Sequence, residues 1–520
     1  MPRSISPRYL KKLYIATAFL EGMSVLVVEI AGARALAPFF GTSLNVWTAQ
    51  ITATLLFLAM GYGSGGFLSK RPRDRNLPTV FLLAGIWLVM FPFARVPVLD
   101  TASRVLGISG GSFLSSAILF GTPLLSLGAV SPLLVERLDK MGSGAGSAAG
   151  TLFFTNTMGG IVGGWLTALW LVPHVPLRLV LCGTGIMLVV IGVFWGPFLN
   201  GAKLGVSYSI PIAALALTLA APQPTSTFEF NGLRAKISYA RQSNLGLIQV
   251  LDIPDVGIRS LLLDGAVQGG QMSGASAYEF TEYQNFLSHR YHPEARSALL
   301  LGLGAGVLAR ELVGRGVEVT VVELEPRVGK VARAYFGLPD SVRLIYEDAR
   351  TYLNRATEHY DLVFLDVFAG ENVPWYLTTV EAISRIKGVL NPGGRLIVNT
   401  MTWAQGGSLG LQRLESAILE NFEEARVFEE RNMETVDRQV ANAVVVAGTD
   451  LLPSPEPFPG TVLPWIRLKL EAILKSERPA QAVVRPGTDD WSDLDYADAE
   501  VRLTWRKIPI SELGAKILGD

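Results

Sequence analysis

The chain has a single cysteine in 520 residues, four histidines, and only 17% Asp, Glu, Lys and Arg. Each scarcity excludes something. One thiol, Cys182, cannot close an intramolecular disulfide and suits no cysteine-based metal site. In its apolar run it reads as a small buried residue. His174, His289, His292 and His359 show no metal-ligand spacing on a common face, so no metal is expected. Basic and acidic side chains balance at 45 each, which leaves no nucleic-acid footprint. Soluble domains carry about 25% charged residues, and the deficit here is uneven. Residues 13–221 are nearly continuous apolar segments, whereas 225–520 have ordinary globular composition, with the shift near Gln223-Pro-Thr-Ser-Thr.

A bilayer-spanning helix needs about 20 mostly apolar residues. Candidates are 13–37, 46–68, 79–96, 112–135, 149–171, 178–198 and 205–221, the last of them short. The first is too long for a cleavable signal peptide and contains Glu29 and Arg34. Glycines recur at small-residue spacing in Gly61-Tyr-Gly-Ser-Gly-Gly66 and Gly159-Gly-Ile-Val-Gly-Gly164, where small residues let helix backbones approach. Arg3, Arg8, Lys11 and Lys12 precede the first segment, Lys70, Arg71, Arg73 and Arg75 follow the second, and Arg137 and Lys140 follow the fourth. The positive-inside bias therefore puts the N-terminus in the cytoplasm. Seven spans would place the second half outside the cytoplasm. Glu29 is costly within a span, about 2.5–3.5 kcal/mol on insertion scales, and wants a partner. Arg34, Asn156 or a cationic ligand are the candidates.

In the second half, residues 227–270 alternate apolar and polar, which predicts a small antiparallel β-domain. A helix over 277–289 follows. Then strands (297–302, 317–323, 342–346, 361–366, 395–399, 425–430, 442–448) alternate with helices (306–315, 326–336, 378–390, 407–421). Such alternation predicts a doubly wound, mostly parallel sheet of seven strands, a Rossmann-like fold, with an antiparallel pair at one edge. Ligands bind such sheets at the carboxyl ends of the strands. Gly302-Leu-Gly-Ala-Gly306 ends the first of these strands and opens a helix, so Gly302, Gly304 and Gly306 let the backbone turn tightly against a ligand. Glu323 ends the next strand, about 20 residues on, where an acid accepts hydrogen bonds from ribose hydroxyls. Asp348, with Ala349 beside it, follows the third strand, within reach of an adenine amino group. Asp366 ends the fourth, over the same crevice.

This constellation resembles the spermidine synthase (polyamine aminopropyltransferase) family over about residues 245–400, within the S-adenosylmethionine methyltransferase fold. Leu262-Leu-Asp-Gly-Ala-Val-Gln268 is similar to the family's LDGxxQ strand pair, and Tyr283-Gln284 to its Tyr-Gln/His pair. Asp366-Val-Phe-Ala-Gly-Glu-Asn-Val-Pro-Trp-Tyr-Leu-Thr resembles the membrane-fused branch, as do Glu29-Ile-Ala-Gly-Ala-Arg34, Ala37-Pro-Phe-Phe-Gly41 and Asn156-Thr-Met-Gly159. The resemblance implies four parts: a multi-pass membrane domain (1–223), a β-domain (224–276), a Rossmann-like catalytic domain (277–455) and a C-terminal extension (456–520). It implies decarboxylated S-adenosylmethionine or S-adenosylmethionine as co-substrate and a polyamine-type amine as acceptor. Inner-membrane localisation with the catalytic domain in the cytoplasm, where S-adenosyl compounds are made and against the seven-span count, the bilayer as partner, and a homodimer as one option for assembly also follow. Asp366 would be the base, Tyr283 an orienting hydroxyl, and Gln268 and Gln284 polar contacts in the same pocket.

Two expected acids are missing. The family's glycine turn carries an Asp where this chain has Ala305, and a second Asp where it has Ala369. Charge-assisted hydrogen bonds are worth about 1.5–3 kcal/mol each, so diamine selection should be weakened and intact S-adenosylmethionine could fit. Glu279 is a candidate to restore a negative group near the acceptor. Three functions remain open: aminopropyl-type transfer to an altered acceptor, methyl transfer or lyase chemistry on the same pocket, and a non-catalytic membrane sensor or transporter. Asp489-Asp-Trp-Ser-Asp-Leu-Asp495 reads either as a solvated loop or as an attractor for a polyamine.

Overall fold

The computed structural model describes residues 6–41, 43–70, 73–200, 213–218, 227–230, 232–243, 245–368, 373–404, 406–430, 439–459, 462–498, 500–501 and 504. The chain divides into two compact units, one ending at Pro224 and one running over Thr225–Ile517.

The first unit is helical: α1 (Pro7–Phe40), α2 (Leu44–Lys70), α3 (Asn76–Val89), α4 (Phe91–Leu138), α5 (Ala145–Leu166) and α6 (Leu177–Asn200). Four stretches are long and apolar enough to cross a membrane: Pro7–Phe40, Leu44–Ser69, Ser109–Ser143 and Leu177–Gly196. A fifth arises if α3 and Phe91–Ser103, bent by 65°, count as one. Seven such segments are therefore not found among the described residues. The expected span 79–96 is broken at Met90, because Pro92 lacks the N–H that would continue the helix. Helix α4 is interrupted again at Gly107, whose φ is 67°. Helix α5 falls outside the apolar set, and segment 205–221 lies largely outside the described residues.

Both glycine motifs act as contact surfaces. A Cβ on Gly159 would lie 2.0 Å from the backbone oxygen of Phe19, and one on Gly22 2.0 Å from that of Asn156, so α1 and α5 touch backbone to backbone. Gly61 and Gly65 do the same for α2 against α4, at 2.4 Å from Leu125 O and 2.6 Å from Ala129 O.

The second unit holds two sheets. Strands β1 (Thr227–Phe230), β2 (Leu233–Gln242), β3 (Leu247–Ile253), β4 (Ile258–Leu263), β5 (Ala266–Met272) and β6 (Ala275–Ser276) pair in chain order, all antiparallel. Helix α7 (Glu279–Tyr291) leads to a doubly wound, Rossmann-like sheet. Its strands are β7 (Ser297–Leu301), β8 (Glu318–Glu323), β9 (Arg343–Tyr346), β10 (Tyr360–Leu365), β11 (Leu390–Trp403), β12 (Glu424–Glu429), β13 (Val440–Gly448) and β14 (Arg478–Pro479), in the order β14-β12-β13-β11-β10-β7-β8-β9. The sheet thus has eight strands, not seven. The extra strand is two residues long, one of them proline, too short to leave a sequence pattern, and it comes from the stretch expected as an extension. The intervening helices are α8 (Val307–Gly314), α9 (Pro326–Phe336), α10 (Ala349–Arg355), α11 (Val380–Gly388), α12 (Leu409–Leu419) and α13 (Pro464–Lys475). Of these, α10 and α13 have no counterpart in the sequence reading.

The parallel strands are apolar on both sides because helices cover both faces. Leu300, Val321, Phe364, Ile397 and Val444 bury into one core with Tyr283 and Leu287 of α7. Leu299, Val322, Val363, Leu365 and Val398 bury into the other, against α11 and α12.

The glycine contact makes an early prediction. Gly159→Ala should cost about 1–3 kcal/mol, as overpacking does, and lower the thermal midpoint in detergent. Gly63→Ala, with nothing within 4 Å of the new Cβ, should leave the midpoint unchanged or raise it slightly.

Candidate functional site

From β7 the chain winds outward through β8 and β9, then returns to place β10 on the other side of β7. The crevice between the carboxyl ends of β7 and β10 is thus the switch point where open α/β sheets bind ligands. A cavity of about 250 Å³ lies there.

Gly302, Gly304 and Gly306 line it, with φ of 95°, 53° and 77°. The first two are held by close backbone approach. A Cβ on Gly302 would sit 2.3 Å from the carbonyl oxygen of Asp366, and one on Gly304 2.5 Å from that of Gln268. Asp366 N–H donates to Leu301 O at 3.0 Å. The glycine turn is therefore wedged between the end of β10 and strand β5, which brings Gln268 to the cavity wall.

Three acids expected from the sequence line the cavity, each in a different setting. Asp366 is half-buried. Gln284 Nε2 donates to its Oδ2 at 2.8 Å and Asn399 Nδ2 to its Oδ1 at 2.9 Å. Burial raises its pKa above the ordinary aspartate value, and the two amide donors only partly offset this. Glu323 accepts from the backbone N–H of Leu303 at 3.1 Å and of Glu325 at 2.8 Å, and burial raises its pKa as well. Asp348 is the N-cap of α10. Its Oδ1 accepts from Thr351 N–H at 2.9 Å, and its Oδ2 from the Tyr376 hydroxyl at 3.1 Å. Burial and this carboxylate push the Tyr376 phenol up to about 12. Ala349 and Ala305 also face the cavity.

Three expected residues sit elsewhere. Gln284 lies behind the wall and acts on the cavity through Asp366. Tyr283 is fully buried, and burial, with the Glu430 and Glu279 carboxylates nearby, raises its pKa. Glu279 is ion-paired with Lys469, which also holds Glu430 at 2.8 Å. Neither Tyr283 nor Glu279 lines the cavity, and the reason is helical period. Neighbours on a helix diverge by about 100°, so Tyr283 shares a face with Glu279 while Gln284 shares one with Phe280, which does line the cavity. Ala369 lies outside the described residues.

Asn399, Asn442 and Tyr376 complete the wall and were missed in the sequence. Asn399 and Asn442 are polar residues in otherwise apolar buried strands, which is a usable signal; Tyr376 carries none. The acidic cluster near the C-terminus is not at the cavity. Asp489 pairs with Arg350 and Asp493 with Arg413, while Arg413 and Arg485 lie over the Trp491 ring at 4.8 and 4.6 Å. Among the described residues no group of three or more His, Cys, Asp or Glu could hold a metal ion.

Residues 299–398 match the family described as a methyltransferase domain. The chain is 33% identical over 184 residues to an N-terminal histidine N-methyltransferase of Emericella nidulans, covering 31% of this chain and 33% of that protein. It is 34% identical over 119 residues to a polyamine aminopropyltransferase of Vibrio vulnificus, covering 22% and 40%. It is 24% identical over 409 residues to polyamine aminopropyltransferase 1 of Streptomyces coelicolor, covering 75% of each. The chain thus spans about a third to two fifths of the length of the first two relatives. The third match is longer than the α/β unit and extends into the helical one. By sequence, the chain is spermidine synthase-like.

Proposed function

We propose that the second unit binds decarboxylated S-adenosylmethionine, or S-adenosylmethionine, and transfers its carbon chain to an amine with release of methylthioadenosine. The observation that carries this reading is Asp366, a carboxylate at the switch point held on both oxygens by amide donors and pushed up in pKa by burial. An acceptor amine is protonated at neutral pH, with an ordinary pKa near 10. It must lose its proton as its nitrogen attacks. The N–C bond forms, the C–S bond breaks with its electron pair going to sulfur, and the proton passes to Asp366. The sulfonium is its own leaving group, so the remaining work is positioning. Glu323, fixed by two backbone N–H groups, is placed for the ribose hydroxyls, and Gly304 for close approach of the nucleoside. Gln284 and Asn399 are positioning residues that orient the base. Tyr283, inside the core, has a structural role instead.

Ala305 brings no charge to the donor's chain end, and at the acceptor end Glu279 is held outside the cavity wall, sharing the Lys469 ammonium with Glu430. Phe280, Phe368 and Met401 make that wall apolar. This favours an acceptor less charged than a free diamine, or intact S-adenosylmethionine as donor.

We further propose that the first unit anchors the enzyme in the inner membrane with the α/β unit on the cytoplasmic side. The four apolar stretches, the bent pair and α5 make six crossings. At 22 residues, α5 is about 33 Å long, enough for a bilayer core. An even number returns the chain to the side of the basic N-terminus. A fluorescent protein fused after Asp520 should therefore be fluorescent in cells, and a periplasmic reporter at the same point inactive.

Methyl transfer is the second reading, favoured by the methyltransferase-domain match and by the uncharged Ala305. Incubating purified protein with both S-adenosyl compounds, with and without putrescine, separates the two. Methylthioadenosine is expected; adenosylhomocysteine would install the second reading, and neither product would point to a sensor. Asp366→Asn should lower turnover by about 10²–10⁴-fold, the usual range for losing a general base. Unchanged turnover would remove Asp366 from the mechanism. Because its pKa is raised, the rate should fall as pH drops through a value above the ordinary aspartate range. Gln284→Leu removes a donor that lowers that pKa, so it should move this acid limb to still higher pH.

A further inference from the structure

A second polar site lies within the helical unit. A groove of about 880 Å³ runs between α1, α2 and α5 and opens sideways past the exposed Leu55, Ile161 and Trp165. Its floor carries Glu21, which is 1% exposed and accepts from the Asn156 amide and, at 3.3 Å, from the Ser131 hydroxyl. Asn156, a sequence candidate for pairing with Glu29, is thus committed to Glu21. Glu29 lines the same groove, half-buried, with no hydrogen-bond or ion-pair partner among the described residues.

Thr54 adds an independent observation. It is 1% exposed, lines the groove, and its hydroxyl has no partner. Threonines inside helices can bond back to the carbonyl four residues earlier, as Thr17, Thr155, Thr167 and Thr184 do in this unit. Thr54 leaves that bond unmade, so the groove wall holds a buried hydroxyl without a partner.

The spacing selects the ligand. Glu21 and Glu29 are eight residues apart on one helix, about 12 Å along its axis, so the two carboxylates cannot share one ion. Between them Val25 and Leu26 present hydrocarbon to the groove. A carboxylate, an apolar stretch and a second carboxylate complement a linear molecule with an ammonium at each end of a methylene chain. We propose that this groove binds an aliphatic diamine or polyamine, with its ammonium groups on Glu21 and Glu29, its methylenes along Val25 and Leu26, and the Thr54 hydroxyl accepting from the inner ammonium. The proposal stands on the helical unit alone and does not need the transferase reading.

The test is equilibrium binding of radiolabelled spermidine to the full-length protein in lipid nanodiscs. Asp366→Asn should retain the binding, whereas Glu29→Gln should weaken it by about tenfold or more, the loss expected for one charge-assisted contact. Thr54→Val should weaken it less, and Glu29→Asp should restore part of it. Butylamine, with one ammonium, should compete about tenfold less well than putrescine, and sodium at matched ionic strength not at all. Glu21→Gln should also lose binding. If that buried variant is not monodisperse, Glu29→Gln, at a half-buried position, decides the matter. Wild-type affinity in Glu29→Gln, or equal competition by butylamine, would overturn the proposal. Binding lost only in Asp366→Asn would assign the amine to the α/β cavity instead. Failure of the transferase reading would show separately, as absent methylthioadenosine in the product assay.

Discussion

Asp366 gives its backbone N–H to Leu301, and the hydrogen atom in place of a side chain on Gly302 lets the carbonyl of Asp366 come into contact with the turn after β7. The site depends on this contact. It sets the depth at which β10 ends relative to the glycine turn, and so where the carboxylate lies relative to any nucleoside resting on that turn. Gly304 extends the same constraint to β5 by admitting the carbonyl of Gln268. Three chain segments distant in sequence are thereby fixed by contacts that tolerate no Cβ, and the cavity is the space they leave.

Within that frame the acids differ by what satisfies them. Glu323 is held by two backbone N–H groups of the loop it faces, so its position is a property of the turn itself. Asp348 caps a helix and receives a phenol, which gives it structural work beside whatever it contacts in the cavity. Asp366 alone is held by side-chain amides, from a helix before the sheet and from a strand after it. Amide donors fix a carboxylate without bringing a charge to it, whereas Glu279 is tied to the Lys469 ammonium that it shares with Glu430. A carboxylate thus becomes a cavity-facing group, a helix cap or an ion-pair member according to its neighbours.

The helical unit uses the same device for another end. Glycines at Gly22 and Gly159 bring α1 and α5 into backbone contact, and that closeness delivers the Asn156 amide to Glu21. In the bilayer proposed for this unit no hydrophobic effect acts between helices, so close packing and polar contacts hold them together. Glu29 and Thr54, facing the groove without partners, are outside that economy, which is why they point to a ligand and not to packing.

Much was readable in the order of residues. Apolar run lengths marked off the helical half. Alternation gave the antiparallel strands, and strand–turn–helix succession gave the parallel ones. Glycine, Glu323 and Asp366 at strand ends located the switch point, because in a doubly wound sheet the carboxyl ends of the parallel strands lie along one edge. What stayed hidden needed direction or distance. Helical period turns Tyr283 into the core and Gln284 toward Asp366, although the two are adjacent in sequence. The Glu279–Lys469 pair joins residues 190 apart, the Glu21–Asn156 pair 135 apart, and the eighth strand is two residues that pattern cannot reveal. The sequence by itself determined which segments are apolar, which alternate and where the acids end their strands, since those are local periodicities. Only the tertiary structure decided which acid keeps its charge toward a cavity and which spends it on a cap or a cation, because that depends on neighbours brought together across the fold.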